Sequence, residues 1–161
     1  MTLTDSPTML VASIGEMVLS SSPDSHLVAY GLGSCVALAA WDPRTRVGGL
    51  AHFMLPSGSA NGSGPVKFID SGLGAFLAAL EDRGAVVNRS VFKAAGAASM
   101  LAIAGGLAIG TRNAETIQAA LSERGLHLTA CALGGTTGRT VQLEVGDGRF
   151  LVKSLLSVTE L

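Results

Sequence analysis

The sequence predicts an α+β fold, a single-domain α/β layered sandwich with a mixed, largely antiparallel sheet and two main helices. Three observations predict it. Short apolar segments of strand length recur along most of the chain, one of them, Val141–Val145, with strict alternation. Two longer stretches carry their apolar residues at helical spacing instead. The two kinds of segment do not alternate strictly, as a doubly wound βαβ chain would require. A length of 161 residues suits one domain, and no internal repeat or second domain is visible.

Taken in order, residues 1–8 read as a flexible N-terminal tail and residues 9–161 as one domain. Met9–Leu19 reads as one bent strand or two short ones. His26–Tyr30 is a strand, followed by the turn Gly31-Leu32-Gly33-Ser34. Val36–Trp41 and Val47–Leu55 are apolar runs on either side of Asp42-Pro43-Arg44, a turn sequence, so they predict an antiparallel hairpin. Pro56–Pro65, rich in Gly, Ser and Pro, predicts a flexible exposed loop. Ile69, Leu73, Phe76, Leu77 and Leu80 recur at helical spacing, and Gly84 is a stop signal. Asp70, Glu81 and Asp82 read as charges on that helix's surface. A second helix is expected from an N-cap at Asn113 to about Arg124, with Ile117, Ala120 and Leu121 facing inward. Leu126–Leu133 is strand-like, and His127 is expected on its exposed face. Val141, Leu143 and Val145 alternate with polar residues as in a half-buried strand. Gly146-Asp147-Gly148 then turns the chain into Phe150–Leu156.

Composition excludes several function classes. Basic and acidic residues number 11 and 12 and do not cluster, so neither a nucleic-acid patch nor a polybasic membrane helix is present. The mean hydropathy of +0.46 comes from Gly and Ala more than from large hydrophobes. The one stretch that raises the question of a membrane span, Ala94–Gly110, is short of the ~20 residues required and reads as buried loop and strand. The first residues have neither a basic region nor a long apolar run, so no signal peptide is expected. Two cysteines are too few for a disulfide scaffold and are expected as free thiols in a cytoplasmic protein. No cofactor and no metal is called for. The Gly31–Ser34 turn lacks the Gly-Lys-Ser/Thr of a phosphate loop, and no Cys/His spacing suits zinc.

One cysteine stands out. Cys35 follows a glycine turn and precedes an apolar run, so its sulfur can lie at a surface edge. Main-chain N–H groups of the surrounding turn, at Gly33, Ser34 and Val36, can then serve as an oxyanion hole. Cys131, within an apolar run, is expected in the core. A thiol with an ordinary pKa of about 8.5 needs a partner to react at neutral pH. Of the three histidines, His26 opens a strand and His127 lies on a surface face. His52 lies on the predicted hairpin partner of the segment starting at Cys35. Adjacent strands lie about 4.7–4.9 Å apart, which brings a thiolate–imidazolium pair within reach.

The run Gly31–Pro56, GLGSCVALAAWDPRTRVGGLAHFMLP, resembles the signature of the chemoreceptor glutamine deamidase family, CheD. Further segments resemble the same family in order: Phe68-Ile69-Asp70, Lys93–Met100, Ile109–Asn113, and Gly134-Gly135 ahead of Arg139. The resemblance covers roughly residues 9 to 153. It implies a layered α/β fold and a cytoplasmic amidohydrolase. The implied substrates are glutamine side chains in the helical cytoplasmic region of methyl-accepting chemotaxis receptors, and the products are glutamate and ammonia. It also implies a CheC-type phosphatase as a partner. Cys35 then matches the nucleophile, His52 the catalytic histidine, and Gly33 and Ser34 the turn around the nucleophile. The family's third catalytic residue, a threonine six positions before the cysteine, is replaced here by Ala29. Gly96-Ala97-Ala98 also departs from the family's more usual Gly-Gly-Ala.

The mechanism expected from these residues is covalent, with a thioester on Cys35 and His52 as acid and base. Two alternatives stand beside it. A chain that has lost the threonine could be a weak or inactive family member, acting as a receptor- and phosphatase-binding chemotaxis adapter. It could also be a cysteine hydrolase with another substrate.

Overall fold

The computed structural model describes residues 6–58, 64–99 and 108–161. Its elements are β1 (Thr8–Val11), β2 (Met17–Ser20), β3 (Ser25–Leu32), β4 (Val36–Trp41), β5 (Gly48–Phe53), α1 (Ile69–Asp82), β6 (Val91–Gly96), α2 (Ile109–Glu123), β7 (Leu128–Leu133), β8 (Arg139–Glu144), β9 (Phe150–Lys153) and β10 (Val158–Glu160). The strands form two five-stranded sheets, in the orders β1-β3-β8-β9-β10 and β2-β5-β4-β6-β7. Both are mixed. β1 runs parallel to β3, and β6 parallel to β7, while the other neighbours are antiparallel.

Alternation along β4 explains the layering. Val36, Leu38 and Ala40 point to one face of the second sheet, where Leu73, Phe76 and Leu80 of α1 and Ile117 and Leu121 of α2 cover them. Ala37 and Ala39 point to the other face, together with Cys35 just ahead of the strand. There they meet Leu27 and Ala29 of β3, Leu143 of β8 and Phe150 of β9. The second sheet is therefore the middle of three layers, between the helices and the first sheet. A strand buried on both faces needs apolar residues at every position, which is why β4 reads VALAAW without polar alternation.

The β4–β5 hairpin forms as its turn sequence predicts. Asp42 closes it from a buried position, accepting from the Arg44 and Val86 N–H groups at 3.0 and 2.9 Å. The Arg89 guanidinium binds both carboxylate oxygens, at 2.8 and 2.6 Å, and holds the Asp42 carboxyl well below the usual carboxylate range.

Of the two forms expected for Met9–Leu19, the structure has two short strands, which lie in different sheets. Several other sequence expectations are corrected. β1 already includes Thr8, the last residue of the expected tail. α2 starts at Ile109, so Asn113 lies inside it rather than at its N-cap. The last residues of Ala94–Gly110 therefore belong to a helix, residues 100–107 lie outside the described residues, and so does the 59–63 part of the expected Pro56–Pro65 loop. β10 had no clear signal, being short and exposed. Cys131 is exposed, not in the core, because β7 is the outermost strand of its sheet. No helix among the described residues is long and apolar enough to cross a membrane.

Candidate active site

Cys35 sits where the chain passes from one sheet to the other, between the end of β3 at Leu32 and the start of β4 at Val36. The carbonyls of this crossing are all held. The Ala98 N–H donates to Gly33 O at 2.9 Å and the Ala97 N–H to Cys35 O at 2.7 Å. The side-chain amide of Asn113 donates to Ser34 O at 2.8 Å. Among the described residues, the main-chain N–H groups of Ser34 and Cys35 have no such partner. With its carbonyls tied back into the protein, the turn is held while these donors stay available.

Val36 differs from its neighbours. Because Cys35 O accepts from Ala97, residue 35 faces β6. Antiparallel alternation then turns the N–H of Val36 the other way, to Phe53 across the β4–β5 ladder. The expectation of an oxyanion donor at Val36 therefore moves to Cys35 itself, whose own N–H lies near its sulfur.

His52 is placed by β5. It pairs with Ala37, so its side chain projects from the same face of the sheet as Cys35, as a diagonal neighbour. Its main chain is locked to the β1–β2 turn: Gly15 N–H donates to His52 O, and His52 N–H to Glu16 O, both at 2.9 Å. Its ring is locked as well. Nδ1 lies 2.9 Å from the main-chain oxygen of Ala12. A carbonyl can only accept, so Nδ1 carries the proton, and the lone pair of the neutral ring is on Nε2. Nε2 is buried and has no partner among the described residues.

Burial decides the resting charges. It pushes the Cys35 thiol above its ordinary value, against the pull of its own N–H. Burial likewise lowers His52, against the raising effects of the Ala12 hydrogen bond and the charge of Glu16. Burial therefore favours a neutral thiol and a neutral imidazole over the thiolate–imidazolium pair expected from the spacing.

The other candidates fall into place around this pair. Ala29 is fully buried on β3, facing the same inter-sheet layer as Cys35. Ala12 lies beside it, its N–H donating to Val28 O at 2.8 Å. Two contributors escaped the sequence reading. Ala12 acts through its main chain, which carries no sequence signal. Asn113 did carry one: a polar residue on the helical face shared by Ile117, Ala120 and Leu121. His26 is away from the site, its ring 3.1 Å from the Gln142 amide. His127 and Cys131 line a separate cavity of about 240 Å³ between α2 and β7. Among the described residues, no group of three His, Cys, Asp or Glu could hold a metal ion.

Comparison with known proteins supplies a second line. A family profile described as CheD chemotactic sensory transduction matches residues 54–154. A Symbiobacterium thermophilum protein named probable chemoreceptor glutamine deamidase CheD is 46% identical over 149 residues, spanning 88% of this chain and 90% of its own. A Haloarcula marismortui protein of the same name is 39% identical, over 92% of this chain and 86% of its own. The Thermotoga maritima chemoreceptor glutamine deamidase CheD is 37% identical, over 90% and 91%. Alignments this long omit only short stretches, so they run through Cys35 and His52, which the profile match does not reach.

Proposed function

The chain belongs to the CheD family, and from that premise we propose that it is a protein-glutamine glutaminase that deamidates chemoreceptors through Cys35 and His52. The observation that carries the proposal is the pinned imidazole. With Nδ1 held by Ala12 O, the Nε2 lone pair is available on the same face as a thiol that needs a base. The deamidase names of relatives similar over nearly their whole length support the substrate.

In this mechanism the Cys35 proton passes to His52 Nε2 as the substrate arrives. The thiolate attacks the side-chain amide carbon of glutamine. The oxygen becomes an oxyanion and accepts from the N–H groups of Ser34 and Cys35. The imidazolium protonates the amide nitrogen, the C–N bond breaks and ammonia leaves. A thioester remains on Cys35. His52 then takes a proton from water, the hydroxide adds to the thioester, and the C–S bond breaks. Glutamate is released, and the proton on His52 returns to the sulfur. Exposed Ile14, Tyr30 and Met54, on the three segments that converge on the pair, offer apolar surface to the receptor helix. The reading includes the cytoplasm as the compartment, where receptor signalling regions lie, and a CheC-type phosphatase as a further partner.

The test is incubation with cytoplasmic fragments of methyl-accepting receptors, followed by mass spectrometry of their peptides. Glutamine-to-glutamate conversion that disappears in Cys35→Ala is the expected result. Binding without conversion would favour the adapter reading. Neither binding nor conversion would point to a hydrolase for another substrate.

A further inference from the structure

We infer that Asn113 is a positioning residue that sets the spacing of Cys35 and His52, an inference that rests on the deamidase reading above. Its side-chain amide donates to two carbonyls. One belongs to Ser34, next to the nucleophile, at 2.8 Å, and the other to Met54, two residues beyond His52, at 3.0 Å. A single NH₂ group from α2 thus ties the crossing that carries the thiol to the strand end that carries the base. The orientation of the amide is not arbitrary. Reversing it would set its oxygen against two carbonyl oxygens.

Stability alone does not explain this residue. Asn113 is fully buried, and its Oδ1 has no partner among the described residues. A buried unsatisfied acceptor is destabilising, and asparagine is a poor helix former away from the ends. Departures from local preference of this kind concentrate at functional sites. The helix around it is fitted to the same loop. Gly110, one turn earlier on the same face, lies so close to the carbonyls of Ala97 and Ala98 that a Cβ would collide with both. Those two residues donate to Cys35 O and Gly33 O. Gly110 lets α2 rest on the crossing, and Asn113 fastens it there. Asn113 touches none of the reacting atoms, so it acts through the two segments it joins.

The experiment measures kcat and KM for deamidation of a receptor fragment by wild type, Asn113→Asp and Asn113→Ala. It is run below each variant's melting temperature, and activity is expressed per folded molecule. The Asp variant keeps the shape of the side chain and removes the NH₂. Misplacement of reacting groups by about 1 Å can cost ~10²-fold in rate, so kcat is expected to fall about a hundredfold. KM should stay within about twofold, since substrate contacts are untouched. A residue needed only for folding would leave kcat per folded molecule unchanged, and kcat within about threefold of wild type overturns the inference. Should neither variant fold, Asn113→Ser keeps one donor. It should show a smaller kcat loss, of about tenfold, at unchanged KM, and a kcat near wild type again overturns the inference. A wild type that leaves receptor glutamines unconverted sinks the deamidase reading and this inference with it. An active wild type beside an equally active Asn113→Asp sinks this inference alone.

Discussion

The imidazole Nδ1–H of His52 donates to the main-chain oxygen of Ala12, 2.9 Å away. Ala12 follows β1, whose last residue, Val11, pairs with Val28, immediately before Ala29. The family resemblance puts an orienting threonine at position 29, and this chain has alanine there. The carbonyl of Ala12, just past the adjoining strand, selects the tautomer instead.

Ala29→Thr should therefore change turnover by about tenfold or less, because the orienting hydrogen bond, worth about 0.5–1.5 kcal/mol, is already made. Ala29 is fully buried, so the larger side chain should also lower stability by about 1–3 kcal/mol through overpacking. Steady-state kinetics and thermal melts measure the two effects. An inactive wild type rescued by threonine would make the chain a degenerate member of its family.

The two thiols should label in an order opposite to the one the spacing suggests. Cys131 is exposed, while Cys35 is buried with its thiol pushed upward. Thiolates, not thiols, react with iodoacetamide. At neutral pH Cys131 should be alkylated first, and Cys35 only slowly, as peptide mapping of a time course will show. Cys131→Ala should leave turnover nearly unchanged. Fast labelling of Cys35 at pH 6–7 would contradict a neutral resting pair.

The pH profile follows from the same two shifts. The proposed mechanism needs His52 unprotonated and the Cys35 proton in place. His52 is lowered, so the acid limb of kcat/KM should fall below the ordinary histidine value of about 6.5. Cys35 is raised, so the alkaline limb should lie above the ordinary thiol value of about 8.5. Folding stability carries the corresponding signs. The lowered His52 contributes stability that is present above about 6.5 and lost as the pH falls, since the unfolded chain takes up its proton more readily. An acid limb above 6.5 would show an imidazolium stabilised in the free protein.

Ala97→Gly should stabilise the protein slightly. Ala97 has a φ of +54°, in the left-handed region, where a side chain costs roughly 1–2 kcal/mol. Its methyl group is buried, and losing that burial costs about 0.8 kcal/mol. The net gain is thus at most about 1 kcal/mol, visible as a small rise in melting temperature with the Cys35 carbonyl still held. A fall in melting temperature would show that the methyl group's packing outweighs the backbone strain.

Much of this architecture was legible because local chemistry announces it. The Asp42 turn predicts the hairpin, and the hairpin brings His52 alongside the start of β4. The apolar period from Ile69 to Leu80 predicts α1. What stayed hidden depends on contacts distant in sequence. The start of α2 at Ile109 has no side-chain cap to mark it, and Asn113 imitates one. The exposure of Cys131 depends on β7 being the last strand of its sheet, which no local pattern encodes. The resting charges of the site depend on how deeply two layers bury it. The role of Ala97 appears only when its φ is known, although the resemblance had already marked it as a departure from glycine.

The Nε2 lone pair of His52, buried and without a partner among the described residues, has a consequence for the life of the protein between encounters. Peroxide oxidises thiolates to sulfenic acid far more readily than it oxidises thiols. The proposed nucleophile, Cys35, is buried with its thiol pushed upward, so it presents little target to oxidants. In the proposed mechanism, deprotonation waits until an incoming glutamine offers its carbon to the sulfur. Exposed Cys131 is then the thiol that records oxidative exposure, while the proposed mechanism keeps Cys35 for its substrate.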